Sequence, residues 1–463
     1  MSILRLLGLV GLSAFFVGCG GDVENPLGDP GTTLWERRFG RDTRIAQVGL
    51  AGVASGGVIV SGRQIGDVDL GGGTLPGPGN NYQAYVARYG SGGEHIYSRS
   101  FGDGFAEVSN DVDAYADGSA VFAGTYGFSF ELDGVSLPWD GDDDVFVAKL
   151  DPTGNVVWAR ALGGAGGQQA IAVAAMPDGG AIVAGTTWGA VDLGIGEPQD
   201  AFRGEFVMRL DAKGEPVWVQ MLPDGDGVVI VKDIAVQGDT IAVVGTFSSV
   251  LDVGLDQDLS PIGNRDGFVV AYDLDGKPRW GRVVGGAGYY DAVTSVAFTS
   301  DGGLVLTGDV EGDADLGGGW LFAPMESDDE NTFLLELDSA SQHRRSFLYG
   351  GDGFDRGNGI AVGKDGRVLL TGEIYGRMSF GAGSLATSEG SRGDGFVAEL
   401  DAERNPVFLR RFGDGEQQVG QRAAVDGEGR WFIAGTVNGV VDFGLGPTPS
   451  SGYYETFVAA IAP

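Results

Sequence analysis

A single cysteine, Cys19, stands in 463 residues, so no disulfide can close within the chain. Histidine is nearly as scarce. His95 and His343 are the only two, they read as lying at different points of an internal repeat, and neither sits in a metal-ligand spacing. That argues against a zinc enzyme and against a Ser-His-Asp hydrolase. Basic residues are outnumbered: 30 Lys and Arg face 64 Asp and Glu, a formal charge of −34. Such a surface repels phosphate backbones and anionic headgroups, so no nucleic-acid partner is expected. No apolar run reaches the roughly 20 residues that a spanning helix requires.

Glycine, by contrast, is abundant, at 85 residues. A chain that is also 43% hydrophobic and 10% aromatic carries more apolar content than disordered chains do. The glycines therefore serve many tight turns, which points to all-β structure.

Residues 1–19 read MSILRLLGLVGLSAFFVGC. Arg5 precedes the apolar run Leu6 to Val17, whose length suits a signal peptide. The end of the run, Phe16-Val17-Gly18-Cys19, resembles the lipobox of bacterial lipoproteins, with Phe16 where Leu is usual. The resemblance implies cleavage before Cys19, lipidation of its thiol and a membrane partner through that anchor. Several acyl chains on one residue hold stably, whereas one holds marginally. Gly20, not Asp, follows the Cys, which favours the outer membrane or cell surface within the cell envelope. The expected organisation is a lipoprotein signal peptide over 1–18, a lipidated Cys and Gly/Pro-rich tether over 19–32, and one folded body over 33–463.

A β-rich segment ending in Gly recurs at Gly62, Gly124, Gly185, Gly245, Gly308, Gly372 and Gly435, in steps of 62, 61, 60, 63, 64 and 63 residues. Other landmarks keep the same phase. A triplet such as Asp69-Leu70-Gly71 or Asp315-Leu316-Gly317 follows the Gly. Then come an F-V-A-x-L-D-like strand, as at Phe146 to Asp151, and an aromatic strand at Tyr97, Trp158, Trp218, Trp280, Phe347 and Phe408. Each copy divides into four strands joined by turns such as Asp178-Gly179-Gly180. Seven four-stranded units predict a seven-bladed β-propeller. The seventh copy ends at Pro463 without its aromatic strand, while Leu34-Trp35-Glu36-Arg37-Arg38-Phe39-Gly40 is an aromatic strand with nothing before it. Placed in the last blade, strand 33–40 closes the ring and removes two sheet edges.

The run Asp144-Val-Phe-Val-Ala-Lys-Leu-Asp-Pro-Thr-Gly-Asn-Val-Val-Trp158, followed by Leu162-Gly163-Gly164, resembles the bacterial seven-bladed β-propeller repeat (SBBP) proteins. Its echoes cover about residues 33 to 463, with a degraded turn at Gln342-His343-Arg344-Arg345. The family implies a fold and exported, often lipoprotein, membership; it implies no function.

Connections between first and second strands, and between third and fourth, are short. Those between second and third strands run to roughly 20 residues and vary, and variable loops on a rigid scaffold are where binding usually sits. They are acidic and aromatic. Candidate ligand-binding residues are Tyr126, Trp139, Trp188, Trp320, Tyr375 and Tyr453. Asp140, Asp142 and Asp144 are candidate metal ligands, with calcium the ion that carboxylates would take, although Gly141-Asp142-Asp143-Asp144 is no EF-hand loop. The competing reading is that these Asp residues make turns and the aromatics pack the loops down. The recurring aromatic-x-Arg, as at Trp35-x-Arg37 and Trp158-x-Arg160, shares the repeat's phase and reads as a structural link between blades.

No catalytic motif appears and no cofactor is called for. The reading is an exported, lipid-anchored scaffold that binds a protein or glycan through its long loop face, without catalysis. The alternative is a glycan hydrolase or lyase using loop carboxylates.

Overall fold

The computed structural model describes residues 28–463, apart from 41–47, 78, 80, 103–106, 197–198, 324–328, 389 and 452. The expected signal peptide, Cys19 and most of the expected tether lie outside the described residues.

The described chain is all β, in seven four-stranded antiparallel blades. With strands a to d numbered outward from the axis, blade 1 comprises Gly49–Gly52, Val58–Ile65, Tyr82–Tyr89 and His95–Phe101. Blade 2 comprises Val108–Ala114, Ala120–Tyr126, Asp144–Leu150 and Val156–Leu162. Blades 3 to 6 repeat this order through Pro406–Phe412. Blade 7 takes strands a to c from Gln418–Val425, Trp431–Val437 and Glu455–Ile461, and its d strand is Thr33–Phe39. Trp35 pairs with Ala460 and Phe39 with Thr456, so the N-terminal strand closes the ring as the sequence predicts.

The repeated glycines have one physical reason. Each lies on a b strand directly opposite a c-strand aromatic: Gly62 faces Tyr85, Gly124 faces Phe146, and Gly435 faces Phe457. A Cβ at Gly124 would come within 1.9 Å of the Val108 carbonyl and 2.6 Å of the Phe146 ring. The missing side chain is what lets the ring lie flat across its own sheet. Seven apolar clusters result, each shared by two neighbouring blades.

The aromatic-x-Arg motif stitches blade to blade. Trp35, Trp158 and Trp218 donate Nε1–H to the carbonyls of Ser91, Ala212 and Leu274, in the c–d turn of the next blade. Arg37, Arg99 and Arg160 bond the carbonyls of Gly93, Gly154 and Gly214 in the same kind of turn. Asp151 holds its turn by accepting from the Thr153 and Asn155 amides at 2.8 and 3.0 Å. In the degraded copy Ser341 occupies the turn's left-handed position with φ of 64°, and Arg404 does so in the next blade at 73°.

The long b–c segments do not stand open on one face. They form two-stranded ribbons or extended hairpins that fold back along the outer rim, into the wedge where blades diverge. Tyr89 ends its c strand, at the far end of the blade, and its hydroxyl donates to the Leu70 carbonyl at 2.8 Å. In the ribbons Asp69, Asp315 and Asp442 accept from two glycine amides each, while Leu70, Leu316 and Phe443 are buried. The two histidines also prove equivalent rather than differently placed. His95 and His343 each begin a d strand, sit under Gly72 and Gly318 of matching ribbons, and hold Ser98 and Ser346 at 3.0 Å.

Candidate functional site

The inner a strands share a deviation that strand alternation does not predict. Six of them carry a β-bulge at the same point, which leaves Asn110, Ile171, Lys232, Thr294, Asn358 and Gln421 outside the ladder. A bulge re-aims its side chains, here along the central channel. Asn110, Thr294 and Asn358 use theirs to bond a carbonyl of the following blade, at Ala170, Gly357 and Gly420. Below this ring, buried carboxylates do the same work. Asp111 accepts from the Val173 amide at 3.0 Å, Asp113 from Ala175 at 2.8 Å, and Asp233 from Val296 at 3.0 Å. Burial raises Asp111 to about 7 and Asp113 to about 6.

Above the ring, at the end of the b–c and interblade links, the channel opens into a cavity of about 690 Å³. Charged residues of blades 4 to 7 line it: Lys232, Asp309, Glu330, Arg356, Glu373 and Arg422. Arg356 is committed, with Nε to Glu330 and Nη1 to Glu373 at 3.3 Å. These bonds, Glu330 first, push its pKa up. Lys232 is not committed: among the described residues its ammonium has no hydrogen bond and no ion pair. Burial lowers its pKa, against the pull of Asp309 and Glu205. Burial raises Asp309 to about 8, helped by the charge of Glu330. Asp309 Oδ2, Glu373 Oε2 and Gln421 Oε1 are buried without a hydrogen-bond partner among the described residues. Tyr290 and Tyr375 complete the wall. Phe354 meets Tyr375 edge to face at 6.4 Å and is half exposed at the rim.

Of the residues singled out from sequence, Tyr375 is the one in this wall. Tyr126 is a core residue: its ring is fully covered and its hydroxyl donates to the Pro138 carbonyl, so no ligand reaches its face. Trp139 packs against Phe128 at 5.3 Å with the rings tilted by 37°, and donates Nε1–H to the Asp142 carbonyl. Trp188, Trp320 and Tyr453 are exposed on three other b–c segments, Trp320 in an outer ribbon. Asp140, Asp142 and Asp144 do not gather as a ligand set. Asp144 is buried and accepts from the Asp140 and Gly164 amides at 3.0 and 3.2 Å, and burial raises it to about 6. Among the described residues no group of three or more His, Cys, Asp or Glu is placed to hold a metal.

Sequence reasoning missed Lys232, Arg356, Glu373 and Gln421 as a set. The available signal was that the bulge position changes identity from copy to copy, while the framework positions repeat.

No family model and no curated protein matches the chain. Among solved structures, the Neurospora crassa Pan2 WD40 domain is similar over 92% of this chain and 96% of its own, at 9% identity and a TM-score of 0.43. A Synechocystis apocarotenoid oxygenase mutant, Trp149Ala by its own numbering, is similar over 92% and 93%, at 10% identity and a TM-score of 0.37.

Proposed function

We propose that this protein is an exported, lipid-anchored binding propeller of the SBBP type, and that its ligand enters the mouth of the central channel. One observation carries the reading: a large cavity whose wall holds an unpaired ammonium and three unpaired acceptor atoms, in a channel where neighbouring polar groups are tied to backbone or to one another. Burying polar groups without partners is costly, and a bound ligand relieves the cost. A rigid mouth of this volume is in the range of small-ligand sites.

The described chain enters the propeller on one identifiable face. The d strand of blade 7 starts at Thr33, and Gly31 bonds the Ala462 carbonyl at 2.9 Å, on the face of the short turns. In this reading an anchor at Cys19 attaches on that face, opposite the mouth of the channel.

Capture from a glycan array and from envelope extract tests this. Capture is expected to weaken on Tyr375→Ala and to survive Trp320→Ala; the reverse pattern would return function to the rim. One feature favours the enzymatic reading: burial raises Asp309 to about 8 in a wall it shares with Glu330 and Glu373, as suits a general acid beside carboxylates. Turnover of a glycan panel, abolished by Asp309→Asn, would establish that instead.

A further inference from the structure

We propose that the channel mouth takes the end of an acidic glycan, with the sugar carboxylate on Lys232 and its hydroxyls on Glu373 Oε2 and Gln421 Oε1. The inference rests on the binding reading above and names its ligand class.

Two cavity carboxylates, Glu330 and Glu373, are already engaged by Arg356, so that cation is neutralised in place. Arg422 bonds the Gln421 carbonyl at 3.4 Å and answers the charges of Asp111 and Asp233, which leaves Lys232 as the cavity cation without a hydrogen bond among the described residues. Its position on the bulge of blade 4 is equivalent to Asn110, Thr294 and Asn358, which each close onto the next blade, whereas the lysine does not. A partly buried ammonium that makes no hydrogen bond or ion pair, and feels Asp309 and Glu205 only at a distance, has room for an anion from outside. A carboxylate answers it with a charge-assisted hydrogen bond. The unpaired acceptors at Glu373 and Gln421 call for donors, and hydroxyl groups supply them while accepting from neighbours. A uronic acid carries both on one ring. Tyr290 and Tyr375 in the wall, with Phe354 at the rim, offer ring faces to the sugar.

Charge sets the length. The chain carries −34, so a long polyanion lying across the face is repelled. A single terminal residue that enters the cavity meets the lysine instead, and beyond about 8 Å the outer charges are screened at physiological salt.

The test is calorimetric titration of the full chain with glucuronate, glucose and glucosamine. Expected is saturable binding of glucuronate, at least about tenfold weaker glucose and no glucosamine binding. Lys232→Met should cost about tenfold or more in glucuronate affinity. Lys232→Arg, which keeps the charge, should restore most of it, and an unchanged melting temperature shows that each variant is folded. Equal binding of glucose and glucuronate, preference for glucosamine, or full glucuronate affinity in Lys232→Met would each overturn the assignment. No glucuronate binding, while array capture still depends on Tyr375, would refute the acidic-sugar inference and leave the binding reading standing.

Discussion

Removing the indole of Trp35 is the sharpest probe of ring closure. The ring is buried, lies 5.9 Å from both Tyr89 and Phe432, and donates Nε1–H to the Ser91 carbonyl at 3.0 Å. Tyr89 belongs to blade 1 and Phe432 to blade 7, so one side chain fills the seam between the first and last blades. Truncating a buried Trp to Ala costs about 3–5 kcal/mol, through lost transfer energy and the cavity left behind. The Ser91 carbonyl lies on a turn that water reaches, so its loss adds little. Trp35→Ala should therefore unfold about 3–5 kcal/mol more easily in guanidinium, with an unchanged slope. Trp158→Ala, which removes the equivalent contact inside the ring, should cost a similar amount, since its Nε1–H reaches Ala212 at 3.1 Å. Deleting residues 28–40 is the harsher change, because it also bares the edge of Glu455–Ile461 and should bring aggregation. A loss below about 0.5 kcal/mol for Trp35→Ala would refute the closure argument.

Three further outcomes are expected. Burial raises Glu205, Asp309 and Asp355 to about 8 and Asp111 to about 7, well above their unfolded values near 4. The folded state then binds more protons, so their stabilising contribution is complete below about pH 4 and is lost as pH rises toward 8. Turn carboxylates such as Asp151, Asp211 and Asp401 are lowered by their hydrogen bonds, so their contribution is lost below about pH 4. The melting temperature should peak between about pH 4 and 6 and fall toward pH 9; a melt that is flat or rising over that range would contradict it. Ser341→Gly should gain about 1 kcal/mol in denaturant unfolding, since φ of 64° strains a residue with a Cβ. Gly372→Ala should lose about 1–3 kcal/mol or more, because its Cβ would stand 1.8 Å from the Arg356 carbonyl.

The fold was legible because each framework residue repeats one local job seven times. Gly opposite an aromatic, Asp in the c–d turn and the indole between blades are short-range devices, so their phase survives in sequence. Loop direction was not legible from length. The long segments read as an open binding face, yet Leu70, Leu316 and Phe443 in their Asp-led triplets are buried against the rim. An apolar residue fixed in phase within a variable loop was the overlooked sign of packing. The channel site was hidden for a different reason. Lys232, Asp309, Glu373 and Gln421 come from four blades, once each, and a bulge turns Lys232 and Gln421 toward the axis. Nothing in strand alternation marks a bulge, so these residues resembled ordinary strand positions.

The most direct measurement is the pH profile of amine labelling, read residue by residue by mass spectrometry. The chain has five lysines, Lys149, Lys213, Lys232, Lys277 and Lys364, so each is resolved singly. Lys232 is expected to label with a midpoint below that of the same residue in the unfolded chain, because burial lowers its pKa. Glucuronate is expected to protect it without protecting the others. A Lys232 that labels alike in folded and unfolded protein, and that no acidic sugar shields, would contradict an unpaired ammonium at the channel mouth.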